Sequence, residues 1–150
     1  MRLEQKKNST AKGTFYIYTD GCIGTANWTD VSLAKDVKML IQGINLNHTA
    51  NGSKSLRESM NKEGWNLVSD TQVCNHGGIG YDYKTDTIKV IISKTDLHGL
   101  RDAALKEGCV DKEGAPVFIA LDAGGSFAYV HDGNIVYKSD GRFMRNIVYW

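Results

Sequence analysis

β-branched and aromatic residues fill Thr14 to Thr19, and Asp20-Gly21 closes the run, which predicts a strand followed by a turn. Beyond it, Val31, Ala34, Val37, Leu40 and Ile41 fall at helical spacing. That spacing predicts a helix from Asp30 through Gln42, with Gly43 as its stop. Leu46 to Lys62 is rich in Asn, Ser, Thr and Gly and reads as loop, with a tight turn at Asn51-Gly52. A short strand is predicted at Trp65–Val68. Ile79–Tyr83 and Thr87–Ser93 flank Lys84-Thr85-Asp86 and predict a hairpin. Thr95 or Asp96 then caps a second helix, with Leu97, Leu100, Ala104 and Leu105 on one face and Gly108 as its end. Pro116 opens a buried strand, Val117–Leu121. Short segments follow at Phe127–Val130, Ile135–Tyr137 and Phe143–Tyr149, with Asp132-Gly133 turning the first pair. The pattern as a whole predicts one α+β domain over residues 14–150, a mixed β-sheet with two main helices, behind a flexible leader at 1–13.

Composition narrows the partners more than the fold. The chain has 150 residues, 41% hydrophobic and 23% charged, with 18 basic and 17 acidic residues for a net charge of +1. Polymeric nucleic acid normally demands a strong basic excess, so a nucleic-acid polymer is not an expected partner. A small anionic ligand needs only a few local charges and fits this balance. No apolar run is long enough to span a bilayer, and Met1 to Lys12 is polar and basic rather than a secretory signal. A cytoplasmic protein with no membrane partner is the expectation. Cys22, Cys74 and Cys109 are odd in number and far apart, which suggests neither a disulfide framework nor a structural metal. No cofactor is implied. The sequons at Asn8, Asn27, Asn47 and Asn51 read as chance in a polar chain.

Three segments carry candidate chemistry. In Phe118 to Ser126 a buried strand ends in Asp122, and the chain then runs through Ala123, Gly124, Gly125 and Ser126. Paired glycines let a ligand approach the main chain, and successive N–H groups can cradle phosphate oxygens. Asp122 could act as base, acid, metal ligand or sugar-hydroxyl acceptor, or could simply cap its own turn. Ala128 and a following strand pattern argue against a serine nucleophile elbow at Ser126. The second segment, Cys74 to Asp82, sets His76 before Gly77 and Gly78. An open turn is expected there, leaving the imidazole solvated or free to meet a phosphate or move a proton. In the third, Arg142 and Arg145 sit three apart on a predicted strand, so at most one reaches a pocket. Asp20, Asp82 and Asp122 could meet around a divalent ion, though no spacing demands one. Trp28, Trp65, Tyr81 and Tyr83 could stack a base or pack the core.

Leu121-Asp122-Ala123-Gly124-Gly125-Ser126, the turn at Asp132-Gly133-Asn134, and Ser139-Asp140-Gly141-Arg142 with Asn146 together resemble the C-terminal signature of the phosphodiester glycosidase family. The resemblance covers most of the chain and is specific from about Leu97 onward. It implies a phosphodiester-glycosidase-like fold, catalytic roles for Asp122 and His76, and ligand binding by Gly124, Gly125, Ser126, Arg142, Asn146, His76, Gly77 and Gly78. Departures accompany it. Ala123 stands where the family has glycine, His76 where relatives carry arginine, and no Asn-Gly-Gly-Phe-Phe-like segment occurs.

Two functions follow from the resemblance. One is hydrolysis of a sugar phosphodiester. The other, favoured because the departures fall on residues catalysis needs, is a non-catalytic binder of a small sugar-phosphate or nucleotide-derived ligand. Such a binder would sequester a messenger such as an ADP-ribose derivative or a cyclic nucleotide, as a phage would against host immune signalling. Binders of this kind complete their pockets across symmetric interfaces, so a homo-oligomer is expected. A structural module with no small-molecule affinity is the third reading.

Overall fold

A computed structural model describes residues 11–28, 36–123, 129–131 and 134–137. The chain opens with a hairpin of β1 (Lys12–Tyr18) and β2 (Ile23–Trp28). Its turn is made by Gly21 at φ 90° and by Asp20, whose carboxylate accepts the Cys22 N–H at 2.9 Å. After β3 (Val37–Asn45) come a single 3-10 turn at His48–Asn51 and helix α1 (Leu56–Lys62). Next are β4 (Cys74–Asp82), β5 (Thr87–Thr95), helix α2 (Leu97–Lys106), β6 (Phe118–Ala123) and the pair β7 (Tyr129–His131) and β8 (Asn134–Tyr137). Six strands form one sheet in the order β2-β1-β3-β6-β4-β5, and β7 and β8 pair separately. Every pairing is antiparallel, so the expected mixed sheet is instead antiparallel among the described residues.

Both faces of the sheet carry apolar clusters. Leu56 and Met60 of α1 and Leu97, Leu100 and Ala104 of α2 cover one face, meeting Ile44, Phe118 and Ala120. On the other, Phe15, Ile79, Tyr81 and Ile119 gather with Ile17, Ile23, Met39, Ile41 and Leu121. Apart from Val117, which adjoins β6, this second cluster is built from strand residues, so the sheet must curl over it.

Several expectations are corrected. Val37 to Gln42 is strand rather than helix: Met39 and Ile41 face Ile17 and Phe15 of β1, and this pairing overrides a spacing that also suits a helix. Gly43 is no helix stop, since a Cβ there would fall 2.2 Å from the Ala120 carbonyl oxygen. Glycine lets β3 and β6 close up.

Within the expected loop, Ser55 caps α1 by accepting the Glu58 N–H, and Glu58 accepts the Lys54 N–H at 2.9 Å. Trp65–Val68 is a turn, closed by Val68 N–H to the Trp65 carbonyl at 3.1 Å. The β4–β5 hairpin, α2 with Asp96 as cap and Gly108 at φ 79°, and a strand after Pro116 all stand where expected. β1 starts at Lys12, two residues before the expected strand, and residues 1–10 lie outside the described set. Phe143–Tyr149 and the turn Asp132-Gly133 also lie outside it.

Candidate functional site

Two of the candidate segments meet in the middle of the sheet. β6 runs antiparallel to β4 with Phe118 opposite Gly80, Ile119 opposite Ile79 and Ala120 opposite Gly78. The register then shifts, and the next matched pair is Ala123 opposite His76. Leu121 and Asp122 therefore share a single opposing residue, Gly77. This is a β-bulge, a device that re-aims side chains and that concentrates beside functional sites. It places the backbone of Asp122 next to the strand that carries His76.

His76 itself is not at an open turn. It lies inside β4, opposite Ser93 of β5, and is 3% exposed. Its Nε2 is 3.3 Å from the Gln72 carbonyl oxygen and 3.2 Å from Cys74 Sγ. A carbonyl can only accept, so the Gln72 contact assigns the Nε2 proton. Nδ1 is buried and has no hydrogen-bond partner among the described residues.

Gly77 and Gly78 are strand residues as well, facing Ile92 and Ile91 of β5. At Gly78 the missing side chain is explained by packing, because a Cβ there would fall 2.2 Å from the Phe118 ring. Gly80 repeats the arrangement at 2.5 Å. Gly78 and Gly80 thus make room for an aromatic ring between sheet and helices.

Other polar clusters stand away from this place. Glu63, just past α1, is fully buried, and its carboxylate accepts from the Gly13 and Asn45 N–H groups at 3.3 Å each, from Asn27 Nδ2 at 3.1 Å and from Trp65 Nε1 at 3.1 Å. Burial raises its pKa against these donors. Lys12 donates to the Glu63 carbonyl and lies 4.4 Å above the Trp65 ring. Nothing in the local spacing of the sequence announces this cluster, which joins β1, β2, β3 and α1.

Asp82 accepts Lys89 Nζ at 2.9 Å and the Lys84 N–H at 2.9 Å. The Lys89 contact is the first cause of a pKa lowered to about 2. Asp20 and Asp82 are thus engaged in separate turns. Among the described residues no group of three or more His, Cys, Asp or Glu side chains converges as a metal site.

The aromatic candidates divide. Trp28 stacks on Tyr16 at 5.4 Å with 7° between the rings, and Trp65 packs against the helical core. Tyr81 donates to Asp86 at 2.5 Å, which pushes its pKa up to about 12, and Tyr83 lies under Lys112. None of the four adjoins His76 in the strand register.

Gly124, Gly125, Ser126, Arg142 and Asn146 lie outside the described residues, and for Asp122 the described part is its backbone. The structure is a single α+β domain in which a bulged central strand sets the backbone of Asp122 opposite Gly77, one residue from His76. No family model, no curated protein and no solved structure matches the chain.

Proposed function

We propose that this protein binds a small sugar-phosphate or nucleotide-derived ligand at the bulged end of β6, holding it as a sponge holds a messenger rather than cleaving it. The observation that carries this reading is the register of β4 and β6. The two segments that the sequence marks as chemical are distant along the chain, yet Ala123 stands opposite His76 with the bulge at Leu121-Asp122 between the matched pairs. The glycine-rich stretch from Gly124 follows directly from that strand end. The near-neutral charge of the chain suits a small ligand over a polymer.

Binding is favoured over turnover by the state of His76. A proton donor for a leaving group must reach the substrate. This imidazole is buried in a strand with Nε2 engaged by Gln72 and Cys74.

The test is incubation of the purified protein with nucleotide sugars, ADP-ribose derivatives, cyclic nucleotides and a sugar phosphodiester. Free ligand is removed, the protein is heated, and what it releases is identified by mass spectrometry. The proposal expects one ligand recovered intact, and affinity lowered about tenfold or more by Asp122→Asn. Conversion to sugar and phosphate products would replace it with the glycosidase reading. Depletion of no ligand would end both.

A further inference from the structure

The connection from α1 to β4 reaches His76 through its last few residues. Ser69, Thr71, Gln72 and Val73 are exposed, Val73 at 63%. Among the described residues, Ser69, Thr71 and Gln72 make no backbone–backbone hydrogen bond to a strand or helix. Their order is local: Ser69 Oγ accepts the Gln72 N–H at 3.1 Å and the Thr71 N–H at 3.3 Å. A stretch so poor in buried contacts belongs to the part of a fold that opens at least cost.

Asp70 is the exception within it. Its carboxylate pairs with Arg57 Nε of α1 at 3.1 Å and with His98 Nε2 of α2 at 3.2 Å, and its carbonyl accepts the Leu97 N–H at 3.1 Å. Arg57 also donates to the Val68 carbonyl at 2.6 Å, at the root of the segment. Two residues beyond Asp70, the Gln72 carbonyl meets the buried His76 Nε2 at 3.3 Å. One anchored residue thus sets the position of the carbonyl that occupies the imidazole.

We propose that residues 69–73 form a strap latched at Asp70, which keeps His76 Nε2 occupied and whose release frees that N–H for a ligand. The inference rests on the reading of His76 as part of the binding site. With the strap closed, the Nε2 proton lies between the Gln72 carbonyl and Cys74 Sγ. With it open, the Gln72 carbonyl withdraws, and an oxygen of the ligand can accept the same proton. Acting through Gln72, Asp70 is a positioning residue.

Diethyl pyrocarbonate, which acylates accessible neutral imidazole, tests this on the full chain with no ligand present, the modified sites being quantified by peptide mass spectrometry. Wild-type His76 should react slowly. Asp70→Asn keeps the shape of the side chain and removes its charge, and should speed reaction at His76 about tenfold. Ser69→Ala lies at an exposed position and carries the test if Asp70→Asn fails to fold; it should give about threefold. Iodoacetamide labelling of the buried Cys109 reports opening of the core and should stay at the wild-type rate in both variants. A variant destabilised as a whole would instead expose Cys109 and His76 together. His76 no more reactive in the variants than in wild type overturns the proposal, and so does Cys109 opening in step with His76. Either failure leaves the ligand-capture experiment to decide the proposed binding on its own.

Discussion

The ring of Phe118 occupies the space that a side chain at Gly78 would need, so closely that a Cβ would stand 2.2 Å from Cε1 and 2.5 Å from the Ile119 carbonyl oxygen. One contact is with a ring between sheet and helices, and the other is with backbone that cannot turn away. Gly78→Ala should therefore cost about 3 kcal/mol in urea unfolding, at the upper end for overpacking. Phe118→Leu in the same chain should relieve only part of that strain, because the carbonyl contact remains. A double-mutant cycle giving full rescue would locate the strain in the ring alone.

Glu63 gives a separate pH signature. Burial raises its pKa above the ordinary 4.5, so the folded chain holds this proton at pH values where the unfolded chain has lost it. Its contribution to stability is consequently largest below 4.5 and declines as pH rises through the folded value. Urea midpoints of Glu63→Gln, compared with wild type across this window, should lack the decline. Glu63→Ala should lose about 3 kcal/mol or more at any pH, since it strips the acceptor from Gly13, Asn27, Asn45 and Trp65.

Asp82 acts in the opposite sense and in a lower window. Hydrogen bonding from Lys89 lowers its pKa from 3.8 to about 2. The stability it lends is present above 3.8 and disappears as pH falls through about 2. Asp82→Asn should flatten this acid limb while leaving the Glu63 slope in place, as read by circular dichroism against pH.

The three cysteines should label in order of access. Cys22 is exposed, Cys74 is partly buried, and Cys109 is fully buried with its thiol pushed up to about 11 by burial. A short pulse of iodoacetamide followed by peptide mass spectrometry should mark Cys22 first and spare Cys109 until urea is added. Early labelling of Cys109 would mean that the α2 side of the core opens readily.

Local signals were legible in the sequence, and partner-dependent ones were not. Asp96 and Gly108 bracket α2 through capping chemistry that sits within the helix's own sequence, and Lys84-Thr85-Asp86 turns its own hairpin. Val37, Leu40 and Ile41 suit a helix and a strand alike, and what decides is the presence of Phe15 and Ile17 on a neighbouring strand. Ser55-Leu56-Arg57-Glu58 does carry a capping signature, hidden in a stretch whose polar composition suggested loop. At the candidate site, Asp122 and His76 stood out by residue type. That their strands meet depends on a pairing and a bulge between segments far apart along the chain, with the ring of Phe118 packed where Gly78 has no side chain.

The order of strands also dictates when the molecule becomes whole during synthesis. β1 to β3 can pair with one another as they leave the ribosome, and β4 can pair with β5, but in the final sheet these two groups are joined by β6 lying between them. Until Phe118 to Ala123 emerges, each half shows an open inner edge to whatever surrounds the nascent chain. The segment that closes that gap is the one bearing Asp122. Closure of the six-stranded sheet and the pairing of the Asp122 strand with the His76 strand therefore wait on the same segment.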